Sequence, residues 1–149
     1  MDIDMNVPHE YVTAIDHVGV AVPDLDEALA YYRDCYGMVA LHIETNEEQG
    51  VKEAMVGLPN QHPNAALIQV LSPLSEDSTI GKFLAKNGPG LQQLCLRTNN
   101  LDALSEHLKA QGKRLLYPEP KKGTAGARIN FVHPKDAGGV LLELTEPAS

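Results

Sequence analysis

Four side chains that could bind a metal ion stand at matching positions in two similar halves of the chain. The matching segments, 76 and 74 positions apart, are residues 15–22 with 91–98 and residues 65–73 with 139–147. The first match pairs His17 with Gln93, and the second pairs Gln69 with Glu143. Because imidazole, carboxylate and carboxamide groups are all metal ligands, a module that presents them twice can surround one ion with near-twofold symmetry. The spacing therefore predicts one metal centre shared by the two halves.

Strand alternation decides which neighbours share a face with these side chains. Every second residue of a strand points to the same side of its sheet, so His17 shares a face with Gly19 and Ala21. These small residues leave room for a ligand, whereas the valines between them face the opposite side. The same rule assigns Gln93, and not Gln92, to the ligand side.

The elements that must position these residues follow the same order in each half, which reads βαβββ. In the first half, apolar periodicity and turn residues predict strands at 12–22, 39–44, 52–58 and 66–71, with a helix from about 25 to Gly37. In the second half they predict strands at 91–98, 114–117, 127–133 and 140–145, with a helix from Asn100 to Gly112. Between the halves, residues 75–86 predict a helix capped by Ser75 or Asp77.

The fold class predicted from this order is α+β. Residues 1–13 are expected to be a flexible leader, and residues 14–149 a single domain of two βαβββ modules, at about 14–74 and 90–147. Neither half has enough apolar surface to stand alone, so the two must pack together.

Composition excludes several classes of function. The 149 residues carry a net charge of −8 with an isoelectric point near 5.1, which argues against binding nucleic acid. No apolar run reaches the length of a membrane span, and the acidic N-terminus does not resemble a secretory signal. Cys35 and Cys95 have neither ligand nor redox spacing and are expected to be buried free thiols. A reducing cytoplasm is the expected location.

The segments around the four ligands resemble a known family. Tandem βαβββ modules with ligands on the first and last strand of each are similar to the vicinal oxygen chelate superfamily, which includes the glyoxalases. Within it, the chain resembles the methylmalonyl-CoA epimerase family over about residues 14–146. The segments that carry the resemblance are 15–21, 46–55, 77–80, 88–90, 114–120, 126–135 and 139–144. The resemblance implies a curved mixed sheet around a central metal site.

The resemblance also implies a ligand set with one departure from the family pattern. His17, Gln69, Gln93 and Glu143 take the family's metal positions, but the family has two histidines where this chain has Gln92 and Gln93. The family implies Co²⁺, with Mg²⁺, Mn²⁺, Ni²⁺ or Zn²⁺ as alternatives. A carboxamide oxygen is a weaker and harder donor than imidazole, so we expect lower affinity for cobalt, nickel and zinc and better tolerance of magnesium and manganese. Gln93 either ligates the ion or only donates and accepts hydrogen bonds.

The implied reaction is the interconversion of (2R)- and (2S)-methylmalonyl-CoA, a step of propionate metabolism, through a metal-stabilised enolate. Removal and return of the α-proton need two groups, for which the family positions are Glu53 and Glu143. Because an ordinary glutamate titrates near pH 4.3, apolar neighbours such as Met55 must raise the pKa for efficient transfer. Lys121, Lys122 and Arg128 form a basic cluster for the phosphates of coenzyme A. A homodimer is expected from the resemblance.

Two other functions stay open on this fold. A glyoxalase-like isomerase of the lactoylglutathione lyase type uses similar proton chemistry, although the segment 46–55 favours the epimerase. A non-catalytic small-molecule-binding protein needs no acid in its pocket, so the pair Glu53 and Glu143 argues against it.

Overall fold

A computed structural model describes residues 8–149. Within that range three helices and one eight-stranded mixed sheet form the domain. The helices are α1 (Leu25–Tyr36), α2 (Thr79–Asn87) and α3 (Leu101–Ala110). The strands are β1 (Val12–Ala21), β2 (Val39–Asn46), β3 (Val51–Gly57), β4 (Leu67–Pro73), β5 (Gly90–Thr98), β6 (Lys121–Lys122), β7 (Arg128–Val132) and β8 (Leu142–Glu146).

The sheet confirms the predicted duplication. Its strand order, β2-β3-β4-β1-β5-β8-β7-β6, runs outward in the same sense from a central pair. In each half the first strand is parallel to the last, as β1 is to β4 and β5 to β8. The antiparallel pair β1–β5 joins the halves. The predicted α+β fold is correct.

Each half buries its apolar side chains between one helix and one face of its sheet. In the first half Leu25 of α1 packs against Ala54, Val56 and Val70, and in the second half Leu101 and Leu104 of α3 pack against Val132 and Leu144. These strand residues alternate with the predicted ligands, so the helices cover one face and leave the other for a site.

Helix α1 has the predicted ends. The Asp24 side chain accepts the Glu27 N–H, and Gly37 closes the helix in the left-handed conformation at φ 69°. Helix α2, in contrast, begins later than predicted. Its cap is Ser78, which accepts the Gly81 N–H, because Ser75 and the two residues after it form a preceding turn.

The predicted strand 114–117 is wrong. Only one bridge forms there, between Leu115 and Val132, although Leu116 N–H still donates to the Phe131 carbonyl at 2.8 Å. Pro118 and Pro120 follow and have no N–H to donate, so regular pairing with β7 resumes only at β6.

Two expectations need correction near the surface. The predicted leader 1–13 extends too far, because β1 begins at Val12 and Tyr11 packs against the cluster around Leu101. Residues 1–7 of that leader lie outside the described residues. Of the two free cysteines, Cys95 is buried as expected but Cys35 is exposed. In the described part of the chain, every helix is too short or too polar to cross a bilayer.

Candidate metal and acid–base site

The structure brings the four predicted ligands together on the face of the sheet opposite the helices. Each comes from one of the four central strands: Gln69 from β4, His17 from β1, Gln93 from β5 and Glu143 from β8. All four are buried, with between 2% and 9% of their surface exposed. Because these strands are adjacent, both halves of the chain contribute equally to the cluster.

The carboxamide nitrogen of Gln93 lies at the centre of the cluster. It donates to Gln69 Oε1 at 3.0 Å and to Glu143 Oε1, and it lies 3.3 Å from His17 Nε2. His17 Nε2 is in turn 3.1 Å from Glu143 Oε1. Two acceptor oxygens and one ring nitrogen therefore surround the amide NH2 group of Gln93, and the ring nitrogen can bind a cation once it has lost its proton.

The second ring nitrogen of His17, Nδ1, contacts a carboxylate that sequence reasoning missed. Asp16 Oδ2 lies 2.7 Å from His17 Nδ1, and Arg97 Nε donates to Asp16 Oδ1 at 2.7 Å. Burial acts against the imidazolium, but hydrogen bonds to Asp16 and Glu143 outweigh it and raise the pKa of His17 to about 9. A carboxylate on the second ring nitrogen is the usual partner of a metal-ligating histidine, because it fixes the orientation of the ring.

Asp16 reaches His17 because β1 has an extra residue at this point. The register changes from Ile15 opposite Leu96 to His17 opposite Cys95, which leaves Asp16 in a β-bulge. A bulge turns two consecutive side chains toward the same side of a strand. Simple alternation had placed Asp16 on the other face.

A second β-bulge corrects the prediction that Gln92 lies on the face away from the ligands. The register changes from Gly19 opposite Gln93 to Val20 opposite Leu91, so Gln92 is the bulged residue of β5. Gln92 lines the same cavity as Gln93, although alternation had excluded it. Its buried Oε1 has no hydrogen-bond partner among the described residues.

Glu53 of β3 lies beside the cluster as a buried carboxyl group. Gln69 Nε2 donates to its Oε2 at 2.8 Å, and the Thr124 hydroxyl donates to its Oε1. Burial raises the pKa of Glu53, the negative charges of Glu44 and Glu143 act in the same direction, and the Thr124 hydrogen bond opposes them. The predicted rise in this pKa is confirmed in direction.

Thr124 is a second residue that sequence reasoning missed. It begins a short 3-10 turn, Thr124–Gly126, in which Ala125 adopts a left-handed conformation at φ 54°. The Ala125 N–H donates to the Glu44 carboxylate, which holds the turn over β2 and β3. Since alanine rarely takes this conformation, the sequence carried no signal for the turn.

The two carboxyl groups line one cavity of about 270 Å³. Its polar lining includes Glu53, Gln69, Gln93 and Glu143, with Gln92 and Thr124 beside them. Apolar side chains, including Leu71, Ile80 and Phe131, form the remainder. A polar end beside apolar walls suits a ligand with a charged head and a longer, less polar arm.

The donor set around Gln93 fits a divalent cation. The ring nitrogen of His17 and the acceptor oxygens of Gln69 and Glu143, from three strands, already converge on the amide nitrogen of Gln93. One nitrogen and otherwise oxygen donors suit manganese, magnesium or cobalt better than a soft ion.

A second group of potential ligands lies behind His17 but is less suitable. Asp16, His17 and Cys95 place one ligand atom each within 4.8 Å of one another. The Asp16 carboxylate is engaged by Arg97, and burial raises the pKa of the Cys95 thiol, which disfavours the thiolate that binds metals. The Nε2 side of His17 therefore offers a more suitable donor set than the group behind the ring.

The basic residues predicted to hold phosphates differ in their availability. Lys121 and Lys122 are exposed, with Lys121 Nζ 4.6 Å from the centre of the Tyr117 ring. Arg128, in contrast, forms ion pairs with Asp102 at 2.9 Å and Glu146 at 3.3 Å. Because two carboxylates engage its guanidinium, Arg128 is less available to a phosphate than the two lysines.

Comparisons with known proteins show the family to which this fold belongs. Residues 16–131 match the Glyoxalase/Bleomycin resistance protein/Dioxygenase superfamily. The mitochondrial methylmalonyl-CoA epimerase of Mus musculus is 39% identical over 133 residues, which cover 89% of this chain and 72% of that protein.

Solved structures are similar over nearly the whole chain. The methylmalonyl-CoA epimerase of Mycobacterium tuberculosis is 52% identical, with a TM-score of 0.89 over 96% of this chain and 93% of that one. A methylmalonyl-CoA epimerase in complex with methylmalonyl-CoA and NH4+ is 45% identical, with a TM-score of 0.87 over 93% of this chain and 96% of that one. The chain therefore belongs to the Glyoxalase/Bleomycin resistance protein/Dioxygenase superfamily and, within it, to the methylmalonyl-CoA epimerases.

Proposed function

We propose that this protein interconverts the 2R and 2S epimers of methylmalonyl-CoA by removing the α-proton and returning it on the opposite face. The observation that carries the proposal is the pair of buried carboxyl groups, Glu53 and Glu143, in one cavity. One comes from each half of the molecule, so a substrate between them can meet a proton acceptor on either side. The similarity to methylmalonyl-CoA epimerases supports the same substrate.

Glu53 is suited to proton transfer because of its surroundings. The thioester acidifies the α-carbon, but a base must still hold a proton with an affinity well above that of an ordinary glutamate. Burial raises the pKa of Glu53 in the required direction. Gln69 Nε2 and the Thr124 hydroxyl hold the two carboxyl oxygens, which leaves the group little rotational freedom.

Glu143 is proposed as the second proton-transfer group and also as a cation ligand. His17 Nε2, Gln69 Oε1, Gln93 Oε1 and Glu143 would hold the ion. A bound divalent cation would stabilise negative charge on the thioester oxygen and the neighbouring carboxylate of the substrate. Cobalt is the choice that the family suggests, and manganese or magnesium suits the two carboxamides.

The remaining expectations about binding and assembly are proposals as well. Lys121 and Lys122 are exposed, precede Thr124 in the chain, and are the residues proposed to attract the coenzyme A phosphates. Exposed apolar side chains on strands β1, β2 and β5, namely Ile15, Leu41, Ile43 and Leu91, favour a homodimer. A cytoplasmic location and a place in propionate metabolism stay predictions.

Deuterium uptake tests the reaction directly. Methylmalonyl-CoA is incubated in heavy water with chelator-treated protein, divalent ions are added back one at a time, and the α-position is followed by mass spectrometry. We expect uptake that returns with the ion. If no ion restores uptake while lactoylglutathione is formed from its hemithioacetal, the glyoxalase-like function replaces this proposal.

A further inference from the structure

The carboxamide of Gln93 already fills the point at which the donor atoms of the cluster meet. We propose that Gln93 Nε2 occupies the position of the divalent cation, so that this side chain competes with the ion for His17, Gln69 and Glu143. The inference rests on the cation site of the proposed function but not on the reaction. Its consequence is that the ion enters only when the amide turns away and presents Oε1.

The geometry of the amide carries this inference. Its two N–H groups match two acceptors, Gln69 Oε1 at 3.0 Å and Glu143 Oε1, while Nε2 also lies 3.3 Å from His17 Nε2. An ion that bound these same three atoms would have to stand where the amide nitrogen now stands. The amide and the ion therefore exclude each other in this orientation.

The strand opposite Gln93 is shaped to keep the amide there. Gly19 is the cross-strand partner of Gln93, and a β-carbon at position 19 would lie 2.6 Å from Gln93 Cγ. Such a contact is too short for any two carbon atoms, so the aliphatic part of the side chain lies over the Gly19 backbone. This packing is independent of the hydrogen bonds and directs the stem of Gln93 into the cluster, whereas the hydrogen bonds set the orientation of the amide.

Two properties follow for this chain. Without an ion, the cluster is internally hydrogen-bonded, so folding does not depend on metal. With an ion, two hydrogen bonds of Gln93 must break first, so affinity is lower than the same donors would give without the competing amide.

Manganese binding to chelator-treated, full-length protein tests the competition. Free Mn²⁺ is measured by electron paramagnetic resonance for the wild type, Gln93→Ser and Gln93→His, and melting temperatures are recorded in chelator. We expect Gln93→Ser to bind Mn²⁺ at least as tightly as the wild type, because the competitor is gone. Gln93→His should bind about tenfold tighter or more, since one to two competing hydrogen bonds are removed and an imidazole, the stronger donor, replaces the carboxamide.

The melting temperatures give a readout that is independent of the ion. In chelator, both variants should melt below the wild type, because Gln69 and Glu143 lose their donor. Gln92→Ser is the matched control: it removes the adjacent carboxamide and should leave Mn²⁺ affinity unchanged.

Three results would overturn the inference. The first is a Mn²⁺ affinity of Gln93→Ser that is tenfold weaker than that of the wild type, which would make Gln93 an ordinary ligand. The second is equal melting temperatures of wild type and variants in chelator, which would mean that the hydrogen bonds of the Gln93 amide do not stabilise the protein without an ion. The third is a change in Mn²⁺ affinity in Gln92→Ser as large as that in the Gln93 variants, which would mean that the effect is not specific to the Gln93 amide. None of these measurements uses turnover, so such a result leaves the proposed epimerase to be judged by deuterium uptake.

Discussion

Glu53 owes its chemistry to its position, because a glutamate in the neighbouring turn, such as Glu48, is exposed to solvent. In the folded protein the pKa of Glu53 is raised, chiefly by burial. A group whose pKa is raised on folding stabilises the fold below its unfolded pKa, and this contribution is lost as the pH rises through the folded pKa. Above its folded pKa the charge of Glu53 therefore lowers stability, which is a cost that a purely structural residue would not carry.

The substitution Glu53→Gln separates this cost from the function. We expect epimerisation to fall by about 10²- to 10⁴-fold, the usual contribution of a general base. Binding of substrate should be retained, and the melting temperature measured above the Glu53 pKa should stay equal or rise, because the buried charge is gone. Deuterium uptake measures the reaction, calorimetric titration measures substrate binding, and thermal melts measure stability. Glu48→Gln, at an exposed position, is the control. Full turnover in Glu53→Gln would show that another group removes the proton.

We expect Thr124 to influence where the acid limb of the pH profile lies. Its hydroxyl donates to the ionised form of Glu53 and so opposes the rise in the Glu53 pKa. Activity should fall as the pH is lowered through this pKa, because the base becomes protonated. In Thr124→Val the opposing hydrogen bond is absent, so the acid limb of kcat/KM should move to higher pH. Thr124→Ser keeps the hydroxyl and should keep the wild-type limb; a shift of equal size in both variants would assign it to packing.

At the scale of strands, two β-bulges give the site its detail. Asp16 on β1 and Gln92 on β5 are the extra residues, and each directly precedes a central residue of the cluster, His17 or Gln93. They occupy equivalent positions of the two halves. The bulge on β1 places Asp16 within hydrogen-bond distance of His17. The bulge on β5, in contrast, buries Gln92 Oε1 without a hydrogen-bond partner among the described residues.

Removing that unpartnered oxygen should stabilise the protein. A buried acceptor without a hydrogen bond costs roughly 1–3 kcal/mol, and Gln92→Met replaces the carboxamide by an apolar chain of similar length. We expect the urea midpoint to rise with an unchanged m-value, which reports a change in stability alone. Gln111→Met, at the exposed end of α3, is the control and should change stability by less than about 0.5 kcal/mol. A lower midpoint in Gln92→Met would mean that the carboxamide makes a favourable contact in solution.

The limits of sequence reasoning follow from these same elements. Strand alternation and the internal match brought out His17, Gln69 and Glu143, because period-two patterning and equal spacing are visible in the chain itself. The bulges at Asp16 and Gln92 add one residue to one strand, which shifts the pattern without a compositional mark. Thr124 reaches Glu53 because the next residue, Ala125, adopts a left-handed conformation that alanine rarely takes. The ion pairs of Arg128 join residues that are distant in the chain, so local patterns predicted neither contact.

On the scale of the whole molecule, the site lies across the seam between the halves. The first half supplies His17, Glu53 and Gln69, and the second supplies Gln93 and Glu143. An ion pair crosses the same seam, since Arg97 of β5 holds Asp16 of β1. The antiparallel ladder β1–β5 therefore does two things: it completes the sheet, and it assembles the polar cluster.

A division of the chain at the turn before β5 tests whether the seam is also what makes each half fold. Expressed alone, residues 1–88 would have β1 as an edge strand, and residues 89–149 would have β5 as one. Each piece would then expose unpaired backbone groups and half of the polar cluster that is buried in the intact chain. We expect neither piece to show a cooperative urea transition by circular dichroism, while the intact chain unfolds in one transition that is the same for backbone and tyrosine signals. Mixing the pieces should restore a cooperative transition, because each supplies the strand and the ligands that the other lacks. Two separate transitions in the intact chain, or a piece that melts cooperatively alone, would mean that the halves are independent folding units and that the seam serves only the site.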